Sequence, residues 1–331
     1  MTVPTPHNDH YSHHEFDDPP SVKLVTAPFS ETVTIEVELL SPMLGGGARA
    51  GTYDSDCWLR PSAVKGHLRF WWRALNAHKY DDVRAMRQRE RELFGGPTEY
   101  HRKTSKPIVG PGLFVLRVTS GAPFEGKVHL GAREVVCLKA TTRATLTLRF
   151  HRSTSPNDRA DILGAVRAWV VFGGIGGKTR RAFGAIRGAS ATMELPRDDA
   201  SLRSYLKTEI ARLAAEQVRR AAHYCFSLAR LHAVYLGEPT ATGEAAARLV
   251  RQHYRAAWKS FHQTHPHTLG GISPRHASPI LLCVAATTGA SPSIFPVILV
   301  TLPHAARHPY RADIETLTNY FERHPILPRL R

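Results

Sequence analysis

Phe172-Gly173-Gly174-Ile175-Gly176-Gly177-Lys178-Thr179-Arg180-Arg181-Ala182-Phe183-Gly184 is the stretch on which the reading of the fold turns. Upstream, Ile162, Leu163, Val166, Trp169 and Val170 fall at helical spacing behind Asp158, a residue suited to a helix start. Downstream, Ala185 to Leu195 alternates as a strand does. The stretch therefore reads as a helix-to-strand connection. Gly177-Lys178-Thr179 invites a phosphate-loop reading, but GxxxxGK[ST] needs a glycine where Phe172 stands, and that loop follows a strand and opens a helix. Neither requirement is met, which argues against nucleotide hydrolysis. Consecutive glycines let backbone N–H groups approach an anion and adopt positive φ. Lys178, Arg180 and Arg181 add charge, and Phe183 offers a ring for a base to stack on. Gly176, Gly177 and Thr179 belong to the same candidate surface. A tight turn alone accounts for one or two glycines, not for this dense mixture of glycine and cation.

Working outward, Thr32 to Leu40 alternates, with Val33, Ile35, Val37 and Leu39 on one face of a strand. Pro42 and Gly45-Gly46-Gly47 end it, and a loop carrying Arg49, Asp54 and Asp56 follows. Pro61 suits a first helical turn, and Val64, Leu68, Trp71, Trp72 and Leu75 then form one apolar stripe. Lys65, Arg69 and Arg73 recur every fourth residue on a neighbouring face, a ladder suited to a phosphate backbone or to plain solvation. The tryptophans lie on the stripe and are assigned to the core. Further helix runs from Asp81 to Glu92, and strands from Leu113 to Val118 and Ala144 to Phe150. The order β-α-β-β-α-β is the ferredoxin-like pattern, assigned to residues 31–196.

Residues 197–331 read as a second α+β domain, richer in helix. It has helices at Ser201 to His223, Ala245 to Phe261 and Asp313 to Phe321. Its strands are Ile280 to Ala286 and Ile294 to Thr301, where Pro296 predicts a bulge or an edge. Residues 1–30, with His7, His10, His13 and His14, read as a flexible polar leader rather than a metal site or a signal peptide.

The chain has 331 residues, long enough for two domains, and 42% hydrophobic residues, enough for real cores. Lys and Arg number 44 against 28 Asp and Glu, a formal charge of +16 that attracts polyanions, nucleic acid or an anionic membrane surface. No apolar run is long enough to span a membrane. Cys57, Cys137, Cys225 and Cys283 are far apart and form no CxxC pair, so neither a zinc site nor a disulfide scaffold is predicted, and a reducing compartment fits.

Four motifs carry a resemblance. They are Ser41-Pro42-Met43-Leu44-Gly45-Gly46-Gly47-Ala48, Arg60-Pro61-Ser62-Ala63-Val64-Lys65-Gly66-His67-Leu68-Arg69-Phe70-Trp71-Trp72-Arg73, the stretch Phe172 to Gly184, and a weaker echo, Arg275-His276-Ala277-Ser278-Pro279-Ile280-Leu281. Together they resemble the RAMP superfamily, and within it the first RAMP subunit of the type III-B CRISPR effector, the Cmr complex. The likeness spans most of residues 31–190 and only patches beyond.

The resemblance implies two ferredoxin-like, RRM-related domains, the second divergent. It implies a cytoplasmic, RNA-binding subunit in antiviral defence, with no cofactor and no membrane partner. Such a subunit sits with other RAMP subunits where the 3′ part of the guide RNA (the crRNA) is held, close to target RNA. Lys178, Arg180 and Arg181 fill the basic positions of the RNA-contacting loop; Lys65, Arg69, Arg73 and Arg49 are carried as further contacts. Related backbone RAMP subunits cleave target RNA with a metal-assisted aspartate in the loop after the first strand. Asp54 and Asp56 lie in a comparable loop, and His67 or His101 joins them only if the fold brings them close. The first subunit is not usually the nuclease, so the expectation is no catalytic activity, with a metal-dependent endoribonuclease as the alternative. A protein-interaction module is a third reading.

Overall fold

The computed structural model describes residues 29–45, 52–55, 57–100, 107–130, 132–210, 213, 218–223, 225–261, 271–272, 275–276, 278–302, 311–323 and 329. The polar leader, except for Phe29 and Ser30, and Arg49, Asp56 and His101 lie outside them. The first half contains β1 (Phe29–Leu39), β2 (Met43–Leu44), α1 (Pro61–Asn76), α2 (Val83–Phe94), β3 (Gly96–Tyr100), β4 (Pro107–Gly110), β5 (Phe114–Ser120), β6 (Glu125–Leu130), β7 (Arg133–Leu138), β8 (Arg143–His151), α3 (Pro156–Phe172) and β9 (Ile186–Ala189). After α4 (Asp199–Ser204), the second half contains β10 (Leu231–Leu236), α5 (Gly243–Phe261), β11 (Gly271–Ile272), β12 (Arg275–His276), β13 (Ile280–Ala286), β14 (Ile294–Thr301) and α6 (Arg311–Arg323).

The protein is α+β with antiparallel sheets. The N-terminal sheet runs β5-β8-β1-β9, with Ile35 opposite Leu146 and Leu146 opposite Val118. Counting only these strands in chain order, the sequence 2-3-1-4 is the ferredoxin-like arrangement. Val33, Ile35, Val37 and Leu39 of β1 pack with the α1 stripe and with Ile162, Val166 and Trp169 of α3. Trp71 and Trp72 are fully buried in that core. Helix α3 starts ahead of Asp158: Ser155 Oγ accepts from the Asp158 amide at 3.2 Å, and Pro156 occupies the first turn.

The expected strand to Leu195 stops at Ala189. Ser190 Oγ donates to Thr34 O (2.8 Å) and accepts from the amides of Thr192 and Met193, which turns the chain away. The hairpin β6–β7, with β2 added to β7, was not anticipated.

The C-terminal sheet runs β10-β14-β13. Arg329 bridges Tyr235 on the free side of β10, so the order 4-1-3-2 recurs with its last strand reduced to one bridge. One face, with Leu282, Val284, Ile298 and Val300, meets Val250 and Tyr254 of α5 and Leu317 and Phe321 of α6. The other, with Leu281, Cys283, Phe295, Val297 and Leu299, joins the N-terminal core. Pro296 marks neither edge nor bulge; it sits in the central strand, opposite Val284. Its carbonyl accepts from Gly237 just past the end of β10, so its missing N–H faces the side where no strand remains to be paired.

The single helix predicted for Ser201 to His223 is broken. Regular turns end at Ser204, and wider π turns follow over Tyr205–Ile210, where Thr208 Oγ1 bonds back to Ser204 O at 2.7 Å. Leu202, Leu206, Ile210 and Leu213 of this segment belong to the N-terminal core. Among the described residues no helix is long and apolar enough to cross a membrane.

Candidate nucleic-acid interface

The glycine-rich stretch is stitched on three sides. Gly177 N donates to Leu44 O at 2.6 Å, Gly184 N to Pro42 O at 2.8 Å, and Ile175 N to Gly184 O at 2.8 Å. Ser41 Oγ donates to Ala182 O and accepts from the Ala185 amide. Gly176 (φ 84°) and Gly184 (φ 60°) are required here: a Cβ would lie 2.6 Å from Leu44 O at the first and overlap the Ile175 carbonyl at the second. Lys178 (φ 59°) and Ala182 (φ 57°) also hold left-handed backbone, which non-glycine residues adopt only when neighbours enforce it. The tip is the three-residue step Lys178-Thr179-Arg180. Its successive amides donate to no described residue, while the Lys178 and Thr179 carbonyls are bonded by Arg181 N and Ala182 N. Lys178 is exposed and its ammonium has no partner among the described residues. Consecutive unbonded N–H groups beside a free cation form a concavity for an anionic oxygen.

The other loop residues brace it. Arg180 is largely buried: Nη2 donates to Ser278 O, the guanidinium lies 5.3 Å from the Phe226 ring centroid, and Nε has no partner among the described residues. Burial, and then the neighbouring Arg181, weaken its hold on its proton. Arg181 covers the Tyr254 ring at 3.8 Å and bridges Leu282, and Leu282 N donates to Arg180 O at 3.1 Å. Both arginines thus tie the loop to the C-terminal unit, and neither has a carboxylate partner among the described residues. Phe183 is buried with Leu44 and Cys137, under the Arg251 guanidinium at 4.4 Å, so its ring supports the loop from below rather than facing solvent. Arg251 also donates to Ala182 O. Ser41, Phe226, Arg251 and Tyr254 are bracing residues that the sequence did not assign to the site; Ser41 carried a signal in the Ser-Pro-Met-Leu-Gly motif, and Tyr254 and Arg251 in the apolar stripe and basic face of the helix Ala245 to Phe261.

The α1 ladder is engaged elsewhere. Arg73 Nη1 bonds both oxygens of Glu90 at 2.8 and 2.7 Å, and Arg69 meets Glu90 at 3.5 Å. Arg69 also donates to the carbonyls of Phe94 and Gly95, at the end of α2. Lys65 reaches Phe94 O and lies 5.1 Å from the Phe114 ring; burial lowers its pKa. The ladder fastens α2 to α1.

Asp54 is held by Arg60 at 2.9 Å and by the Cys57 amide at 3.3 Å. His67 stacks on Trp169 at 6.2 Å, and burial lowers its pKa. No group of three or more His, Cys, Asp or Glu residues is placed to hold a metal among the described residues. The open face of the N-terminal sheet presents Thr34, Glu36, Thr145 and Thr147 along its central strands, and the half-exposed ring at the end of β1, Phe29, is covered by the Arg149 guanidinium at 4.2 Å.

Comparisons with known proteins agree with this fold. The chain resembles the crystal structure of Cmr1 from Pyrococcus furiosus (apo form), at 15% identity and TM-score 0.56, over 91% of this chain and 99% of that one. A weaker likeness, TM-score 0.46 at 10% identity, is to a chain of the cryo-EM structure of the type III-B Cmr-beta bound to cognate target RNA, over 88% and 99% of the two chains. No curated protein matches the sequence. The RAMP superfamily model matches residues 36–187, from the middle of β1 to β9 and so including the glycine-rich loop.

Proposed function

We propose that the chain is a non-catalytic, RNA-binding subunit of a type III-B CRISPR complex, the RNA-guided and RNA-targeting Cmr effector. In this reading the 178–180 step holds a phosphate of the guide RNA towards its 3′ part, and target RNA and sibling RAMP subunits lie alongside in the cytoplasm. The observation that carries it is the step itself: three successive amides that donate to no described residue and one exposed lysine, on a loop braced too firmly to be a casual turn. The charge of +16 supports a polyanionic partner, and the RAMP superfamily match over residues 36–187 supports its class. Asp54 contributes a loop contact rather than chemistry, because its carboxylate is occupied by Arg60 and the Cys57 amide.

The test is binding of labelled single-stranded RNA to the full chain across a salt series. Affinity falls steeply with salt, and Lys178→Ala weakens binding and flattens the slope by about 0.7, the share of one single-strand phosphate contact. Unchanged affinity in a folded Lys178→Ala variant removes the loop from the interface. Incubation with manganese and RNA leaves the RNA intact; cleavage lost in Asp54→Asn overturns the non-catalytic assignment.

A further inference from the structure

We propose that the cleft between α1 and α2 is a second phosphate site, taking the backbone of the same single-stranded RNA whose other end the glycine-rich loop holds. This inference rests on the RNA-binding reading above and adds residues to it. The cleft has a volume of about 550 Å³ and is lined by four arginines, Arg69, Arg73, Arg87 and Arg91, with Glu90 and Cys225 among them. One carboxylate faces four guanidiniums. Glu90 is already spanned by Arg73 at 2.7 and 2.8 Å and approached by Arg69 at 3.5 Å. Arg87 and Arg91 form no ion pair among the described residues. Cys225 brings no negative charge, since burial pushes its thiol up to about 11.

The arrangement is costly without a ligand. Arg87 and Arg91 are four residues apart on α2 and repel one another. The helix dipole favours a cation in the last turn and so accounts for Arg91, but Arg87 stands a turn earlier. A phosphodiester offsets that repulsion, and its oxygens suit the planar forks of arginine.

The place of the cleft argues for a shared strand. Cys225 lines it, and the next residue, Phe226, is the ring on which Arg180 rests at 5.3 Å. Phe226 in turn stacks on Phe70 of α1, centroids 5.4 Å apart, beside Arg69. A single aromatic thus separates the loop from the cleft, so one backbone passes from the 178–180 amides to Arg87 and Arg91.

The experiment uses the full chain with fluorescent oligouridines of about 16 and about 4 nucleotides, the range of single-strand site sizes. Arg87→Gln/Arg91→Gln weakens the long oligomer roughly tenfold and flattens its salt slope by about 1.4, two phosphate contacts, while the short oligomer loses little. Arg87→Lys/Arg91→Lys keeps most of the affinity. Thermal unfolding at the wild-type temperature shows the Gln pair to be folded. If Lys178→Ala weakens binding and the Gln pair does not, the cleft is overturned and the loop reading stands. If the wild-type chain binds neither oligomer, the RNA reading itself fails. Displacement of RNA by polyglutamate as readily as by polyuridylate assigns the cleft to an acidic peptide and also overturns the proposal.

Discussion

Lys178 and Arg73 look alike in the sequence, each a cation within a regular group of cations, yet the structure uses them in opposite ways. Arg73 is neutralised by two bonds to the buried Glu90 and serves to fasten two helices. Lys178 stands exposed, unpaired among the described residues, on backbone forced into a left-handed turn. The loop arginines fall between: they are packed on aromatic rings and carbonyls rather than on carboxylates, so they keep their charge while losing their freedom. Availability for a polyanion is decided by the counter-charge within reach, and that is a property of the fold.

The contrast breaks most visibly at Gly184. Gly184→Ala forces a Cβ onto the Ile175 carbonyl at φ 60° and lowers stability by about 3 kcal/mol or more, read by urea unfolding. An unaltered midpoint there means that the loop is not braced as described. Next is Glu90→Gln, which leaves Arg73 and Arg69 without their charge partner. Because both arginines are about a third exposed, at 30% and 27%, the loss is about 2 kcal/mol rather than the full cost of breaking a buried pair. The same variant binds RNA more tightly, by roughly threefold, since a negative charge has left the cleft. Lys178→Gly has the reverse signature: relief of the left-handed lysine raises stability by about 1 kcal/mol, while RNA affinity falls several-fold.

The smallest effect is a pH dependence on α1. Burial lowers the proton affinity of His67, so the unfolded chain binds that proton more tightly than the folded one. Stability therefore declines as pH falls below about 6.5, and His67→Gln makes that acid limb shallower in thermal unfolding.

Alternation and stripe were enough to read the N-terminal ferredoxin-like order, because β1 and α1 each bury one face and leave the other to solvent. They served equally for β13 and β14, whose observed bounds are those predicted. The β6–β7 hairpin was missed because neither of its strands buries a complete face, so the pattern that marks burial is weak. The break after Ser204 was illegible because the apolar spacing of Leu202, Leu206 and Ile210 survives the wider turns. Pro296 misled because which side of a strand lacks a neighbour depends on where β10 ends. At the site, the glycines and Lys178 were legible from local chemistry. The burial of Phe183 and the pairing of Arg69 and Arg73 were not, since Arg251 lies 68 residues from Phe183 and Glu90 lies 21 and 17 residues from the two arginines.

The double burial of the C-terminal sheet has a consequence for how the protein is made. Ile280–Ala286 and Ile294–Thr301 are apolar almost throughout, and one side of the sheet they form is satisfied only by the N-terminal core. Leaving the ribosome after the N-terminal unit, these strands meet a half that has already had time to fold, and synthesis in that order keeps a sticky, strand-forming segment covered. A chain begun at the second unit lacks that cover, and its fate is precipitation rather than a smaller working domain.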